Sequence, residues 1–312
     1  MERGNGTPVT EFTLLGLSDL PQHQPFLFVL FLCMYLITLA GNVLIISVIK
    51  AKHQLHTPMY YFLGNFSFVD ICLSSVTVPK LLANIFSERK SISFTSCIAQ
   101  LYFFLLAATM EDLLLGVMAF DRYMAICNPL RYPVVMNTRF CALLVASCWV
   151  ISSLHALIYG VMASRLPFCG STTICHFFCD IPPLLKLSCA DTTTYELVIF
   201  TEGSLVVMSP CLLIIVSYVC IISAILKVPS KEGRRKAFST CSSHLMVVIL
   251  FYGTDIFTYF RPSSIYSLDY DRVVSVMYTI VTPMLNPFIY SLRNNEVKGA
   301  LRKATRRIFQ KI

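Results

Sequence analysis

Seven stretches, each about twenty residues or longer and almost free of charge, recur along this chain, and a stretch of that length and character spans a hydrocarbon layer as a helix. They fall near residues 25–49, 58–81, 97–122, 140–161, 196–226, 237–260 and 272–292. Only 13% of the 312 residues are charged, against roughly 25% in soluble domains. The expected fold is an all-α membrane protein, a seven-transmembrane helix bundle over 25–292. A polar tail over 1–24 precedes it, and 293–312 follow as a short amphipathic helix carrying Val297, Leu301 and Ile308. The longest connection, about 164–194, is too short for a core of its own, so the chain reads as one domain from 1 to 312.

Basic residues fall on one side of this arrangement. Lys50, Lys52, Arg131, Arg139, the run from Lys227 to Lys236, and the tail from Arg293 to Lys311 account, with Arg122, for 17 of the 25 Lys and Arg. The positive-inside rule then places the C-terminus in the cytoplasm and the N-terminus outside. The net charge of +8 is an orientation signal and no indication of nucleic-acid binding. Residues 1–24 contain no apolar run of signal-peptide type, so the first span acts as the targeting signal. Asn5-Gly6-Thr7 is a glycosylation acceptor in the outer tail, whereas Asn65-Phe66-Ser67 lies inside a span.

Several charged or polar groups sit where lipid penalises them. Asp70 lies about 21 Å along its helix from His56, near mid-membrane. Glu111 shares that depth on the third span, and Asp112 follows it. Such acids must face the bundle interior, take up a proton or hold a cation. His244, among Ser and Thr near the inner end of the sixth span, reads as a hydrogen-bonded packing element, and Trp149 as a packing residue.

The third span ends Met118-Ala-Phe-Asp121-Arg122-Tyr123-Met-Ala-Ile-Cys127-Asn-Pro129-Leu-Arg131-Tyr132. This string resembles the third-helix signature of tetrapod-type olfactory receptors, a branch of the rhodopsin-like G-protein-coupled receptors, with Phe120 and Met124 replacing the usual Tyr and Val. Leu55-His56-Thr57-Pro58-Met59-Tyr60-Tyr61-Phe62-Leu63, Lys236-Ala-Phe-Ser-Thr-Cys241-Ser-Ser-His244-Leu and Pro283-Met-Leu-Asn286-Pro287-Phe-Ile-Tyr290-Ser-Leu-Arg293 resemble the same family. So do Ser217-Tyr218 and the loop segment His176-Phe-Phe-Cys179-Asp-Ile-Pro-Pro. The resemblance extends from Leu55 to Leu301.

That resemblance implies a receptor that binds a small volatile odorant in the outer half of the bundle and signals through a heterotrimeric, stimulatory olfactory-type G protein and cAMP. It implies a plasma-membrane location. The expected switch residues are Asp121, Arg122, Tyr123, Tyr218, Asn286, Pro287 and Tyr290, with Arg122 latched by Asp121 at rest. Sodium, the one cofactor implied, falls at Asp70 and Glu111. The family pattern pairs Cys97 with Cys179 and Cys169 with Cys189, leaving Cys175 over. A rival reading frees Cys179 to bind copper or zinc with Cys175 and His176.

The pocket expected from the family is drawn from Leu105, Ala108, Thr109, Glu202, Val206, Tyr252, Asp255, Ile256, Tyr259 and Thr279. Asp255 stands where the family has a small uncharged residue, and Tyr252 and Tyr259 share its helical face. Two ligand readings stay open: an amine held by Asp255 as counter-ion, or a neutral volatile hydrogen-bonded to it. Other function classes lack their residues. A retinal pigment needs a lysine in 272–292, and there is none. A transporter needs repeated halves, and an enzyme a nucleophile–base or metal cluster. A non-olfactory chemosensory receptor is the nearest alternative.

Overall fold

The computed structural model describes residues 9–17, 21–169, 171–259 and 268–293, with side chains for all of these except 21, 236–237, 239–240, 243, 254–259, 268–271 and 291–293. Seven membrane-spanning helices form one bundle. They are α1 (Gln24–Ala51), α2 (Pro58–Ile85), α3 (Phe94–Cys127) and α5 (Thr138–Ser164), then a fifth running Thr193–Leu226. The sixth is α9 (Lys231–Tyr259), whose apolar stretch His244–Gly253 is shorter than the others. The seventh runs from α10 (Leu268–Val276) through a π turn (Met277–Val281) into α11 (Thr282–Arg293). Short helices α4 (Tyr132–Val135) and α6 (Ile181–Lys186) lie in connections. The helices overrun the expected spans by a few residues at most ends. The sixth starts at Lys231, so Arg234 and Arg235 lie within the helix and the loop expected over Lys227–Lys236 shrinks to Lys227–Ser230. The tail 294–312, with its expected amphipathic helix, lies outside the described residues, as does Asn5.

Burial is inverted relative to a water-soluble bundle. α5 turns Leu143, Val150, Leu154 and Leu157 outward, and the fifth span turns out Leu205, Leu212, Ile215 and Val219. An apolar surface this extensive is a lipid-facing one. Polar side chains are inside instead: Thr38, Asn42, Ser67, Asp70, Ser74, Thr77, Glu111, Asp112 and Asn286 are all buried. With lipid outside, these groups find partners inside the bundle: Thr38, Ser74 and Thr77 give their hydroxyls to carbonyls one turn back on their own helices, while Asn42 and Asn286 bond across to neighbouring ones.

Local chemistry fixes the helix ends. Pro58 opens α2 behind Thr57, where a missing N–H leaves no helical bond unmade. Ser93 caps α3 by accepting from the amide of Ser96 at 3.2 Å, and Asn137 caps α5 by accepting from that of Phe140 at 3.0 Å. Two glycines permit close crossings. A Cβ on Gly116 would lie 2.9 Å from Cβ of Pro210, and one on Gly41 would lie 3.0 Å from Cβ of Pro287. Beside Gly41, Asn42 donates to the carbonyl of Pro283 at 3.3 Å, tying the first span to the seventh.

A three-stranded sheet, unexpected from the sequence, closes one end. β1 (Glu11–Leu14) is central, antiparallel to β2 (Ser91–Ser93) and parallel to β3 (Thr173–Ile174). Along β1, Phe12 and Leu14 point inward and are buried while Glu11 and Thr13 are exposed, the period-two pattern of a one-sided strand. Phe12 packs edge-on against Phe168 with ring centroids 5.1 Å apart.

Candidate ligand cavity and switch residues

The long loop between α5 and the fifth span is tied to the bundle at the sheet-bearing end. Cys97, at the start of α3, is disulfide-bonded to Cys179 with Cα atoms 5.5 Å apart, and Cys169 to Cys189 at 5.7 Å. Cys175 is a free thiol. With Cys179 in a disulfide, the copper or zinc reading loses a required thiolate and is set aside. Phe177 and Phe178 are fully buried beside the first disulfide, and Phe178 meets Phe104 of α3 at 4.9 Å. Asp180 caps α6 by accepting from the amide of Ile181 at 2.8 Å, and its other oxygen accepts from the hydroxyl of Tyr278 in the seventh span at 3.5 Å. His176 meets Ser275 of the same span at 3.0 Å. α6 is thereby held as a roof over the helices.

Beneath that roof lies a cavity of about 610 Å³, well within the range of small-molecule sites. Phe104, Leu105 and Ala108 of α3, Ile181 and Leu185 of α6, Val207 of the fifth span and Phe251 of α9 give it a mostly apolar wall. The polar groups on the wall are Thr109, Glu111 and Asp112 on α3, His155 and Tyr159 on α5, and Lys186, Thr192, Glu196 and Ser204 toward the roof and fifth span. Asp112 accepts a hydrogen bond from Tyr252 of α9, and His155 Nδ1 lies 2.9 Å from Glu202 Oε1.

Of the residues expected to line a pocket, Leu105, Ala108 and Thr109 do so. Glu202 stands behind His155 rather than on the wall, and Tyr252 is turned to Asp112. On the fifth span the wall is Val207, not Val206. The cause is the π turn at Ile199–Gly203, which inserts an extra residue and rotates the following face relative to a regular helix. Thr279 is buried and gives its hydroxyl to the carbonyl of Ser275 at 2.7 Å, while Tyr278 takes the wall position. The side chains of Asp255, Ile256 and Tyr259 lie outside the described residues. His155 and Tyr159 were missed: in sequence each is a lone polar residue on an apolar helix. Only the presence of an acid, Glu202, in the next span hinted at a partner.

Deeper in the bundle, Asn286 donates to Asp70 Oδ1 at 2.9 Å, joining the seventh span to α2. Glu111 of α3 is buried close to the same carboxyl. The oxygens collected there are carboxylate and amide, the donor type a hard monovalent cation takes.

At the opposite, basic end Asp121 does not bond Arg122. Its Oδ1 accepts from the hydroxyl of Tyr132 on α4 at 2.9 Å. Burial, and then the Asp121 carboxylate, push the Tyr132 phenol up from its ordinary value, so it stays a donor. Among the described residues no carboxylate lies within 4.0 Å of Arg122; the ion pair found is His155–Glu202. The expected Asp121–Arg122 latch is corrected accordingly, because the α4 turn delivers a neutral donor to the acid. Tyr218 lies 2.7 Å from His244 Nδ1, and His244 Nε2 lies 3.2 Å from the carbonyl of Leu115. Tyr290 is buried with its ring edge-on to Phe66 at 6.1 Å, and Tyr123 sits against Phe120. Pro287 fills the space left by Gly41.

Comparison with known proteins converges on one family. The family described as Olfactory receptor matches residues 31–308. The chain is 53% identical over 308 residues to Olfactory receptor 1F1 of Homo sapiens, covering 99% of each. It is 53% identical over 307 residues to Olfactory receptor 1M1 of Mus musculus, covering 98% of each. With Olfactory receptor 1G1 of Gorilla gorilla gorilla the identity is 54% over 303 residues, covering 97% of each.

Proposed function

The chain belongs to the olfactory receptor family of odorant-sensing, G-protein-coupled, multi-pass membrane proteins, and from that premise we propose that the 610 Å³ cavity is its odorant site. We place the disulfide-bearing end outside the cell at the plasma membrane and the basic end in the cytoplasm, in keeping with the positive-inside distribution of Lys and Arg. A volatile enters beneath α6, and its binding favours an arrangement of the third, fifth, sixth and seventh spans that admits a stimulatory G protein, raising cAMP. Arg122, Tyr218 and Tyr290 are the groups that contact the G protein or each other in that arrangement.

The observation that carries this reading is the division of the bundle into two ends. One holds a mostly apolar cavity lined by six of the seven spans. The other holds a sealed polar cluster on the same helices. α3 and the fifth span run through both, so a ligand that alters their packing at one end reaches the other. Sodium, through Asp70 and Glu111, would add a charge that strengthens the resting arrangement of α2, α3 and the seventh span.

The test is a chemically diverse odorant panel on cells carrying the full chain and a cAMP reporter. A saturable response that disappears on Ala108→Trp, at equal surface expression, supports both the site and the coupling. A response unaffected by filling the cavity refutes the site.

A further inference from the structure

His155 is 8% exposed and lies on the cavity wall, one edge turned to a neighbouring helix and the other to the void. On the helix side Nδ1 meets Glu202 Oε1 at 2.9 Å. A carboxylate only accepts, so Nδ1 carries the proton. Nε2 has no hydrogen-bond partner among the described residues, and unlike the hydroxyl of Tyr159 and Oε2 of Glu202 it is not fully buried. Of the other acids reaching the cavity, Asp112 accepts from Tyr252 of α9, Glu111 lies close to Asp70, and Glu196 accepts from the hydroxyl of Thr192. Gly203 keeps this corner open enough for Tyr159, since a Cβ there would lie 3.2 Å from its hydroxyl.

We propose that Nε2 of His155 is the recognition point of the cavity and that it selects volatiles bearing a hydroxyl, an alcohol or a phenol, on an otherwise apolar skeleton. The inference rests on the cavity's being the odorant site. Glu202 is the positioning residue that fixes the ring and its tautomer. A neutral His155 offers a lone pair at Nε2 and takes a donor; a protonated one offers N–H and takes an acceptor. A ketone satisfies only the second, a protonated amine only the first. A hydroxyl both donates and accepts, so it is bound in either state. The remaining wall, Phe104, Leu105, Ala108, Val207 and Phe251, covers the hydrocarbon part.

The experiment uses the full-length receptor in lipid nanodiscs, titrated by ligand-observed NMR with octanol, octanone, octylamine and octane, matched in skeleton and differing in head group. Octanol is expected to bind most tightly. His155→Phe should weaken octanol roughly tenfold while shifting octane no more than about twofold, the loss of one hydrogen bond to a buried acceptor. Glu202→Gln should weaken octanol in the same direction by a smaller factor. The octane arm separates recognition from folding, because a disturbed cavity loses all four ligands together. Octanol binding unchanged in His155→Phe, a uniform loss across the four, no octanol binding at all, or preference for octylamine or octanone overturns the proposal. Octanol binding with the expected pattern but without a cAMP rise in cells upholds it and counts against the signalling function instead.

Discussion

The hydroxyl of Tyr218 lies 2.7 Å from Nδ1 of His244, whose Nε2 is 3.2 Å from the carbonyl of Leu115, so one imidazole joins the third, fifth and sixth spans. Leu115's carbonyl can only accept, which puts the ring proton on Nε2 and makes Nδ1 the acceptor for Tyr218. On the proposed mechanism these helices separate at this end to admit a G protein, and here they are held together by two hydrogen bonds through a ring that is 1% exposed. His244→Phe keeps the ring's bulk and removes both bonds. Each is worth about 1 kcal/mol net, enough to shift a two-state equilibrium roughly fivefold. The expected result is a raised cAMP level without odorant, at matched surface expression. A basal level equal to or below wild type would show that the clamp does not favour the resting state.

Much of this was legible in the sequence for a simple reason. A hydrophobic run long enough to span a bilayer has few alternatives, so seven helices and their order follow from Gln24–Ala51 through to the seventh span. The positions of Asp70, Glu111 and Asn286 inside the bundle follow from the penalty on charge in lipid. What escaped depends on register and on contacts distant in sequence. A π turn at Ile199–Gly203 rotates the face beyond it, exchanging Val207 for Val206, and no local signal marks it. Strand β1 needs partners about 80 and 160 residues away, Ile92 and Thr173 among them, to exist at all. Tyr132 displaces Arg122 as the partner of Asp121 only because α4 folds back against α3.

Arg122 itself is buried near the C-terminal end of α3, with no acid within 4.0 Å among the described residues. A guanidinium so placed is available to a new partner when the neighbouring helices part. Arg122→Ala should fold and reach the surface, yet abolish the odorant-evoked cAMP rise. Flow cytometry on an N-terminal epitope, with the reporter in the same cells, checks both halves. Normal signalling at equal expression would exclude Arg122 from coupling.

The two disulfides differ from Cys175 in what their loss does. Cys97–Cys179 closes a loop with a sequence separation of 82, and in the chain-entropy model a loop of that size is worth about 4 kcal/mol. Cys97→Ser also leaves the buried segment Phe177–Cys179 without its anchor. Surface expression should collapse. Cys175→Ser should leave expression and response within about twofold of wild type, since the thiol is free and only half-buried and the substitution nearly keeps its volume, a change worth about 0.5 kcal/mol or less. Non-reducing peptide mapping that finds Cys175 linked to Cys97 would overturn this assignment.

The roof over the cavity contains two groups whose titrations oppose each other. Burial raises the Asp180 carboxyl from 3.8 to about 6, and its bonds to Ile181 and Tyr278 only partly offset this. Burial, with Arg272 nearby, lowers His176 from 6.5 to about 3. A raised carboxyl stabilises the fold at low pH and loses that contribution as pH rises through the folded value. A lowered imidazole does the reverse, stabilising at high pH and losing its contribution as pH falls below 6.5. On going from pH 7 to pH 5, Asp180 therefore adds about 1 kcal/mol and His176 removes about 2 kcal/mol. Wild type should lose little thermal stability over this interval. Asp180→Asn removes the compensating gain and should make the receptor clearly less stable at pH 5 than at pH 7, by about 2 kcal/mol. His176→Gln should show the opposite slope and gain stability on acidification. Melting curves of detergent-solubilised receptor at the two pH values decide it. Parallel slopes for wild type and both variants would mean that neither group is buried in the roof as described.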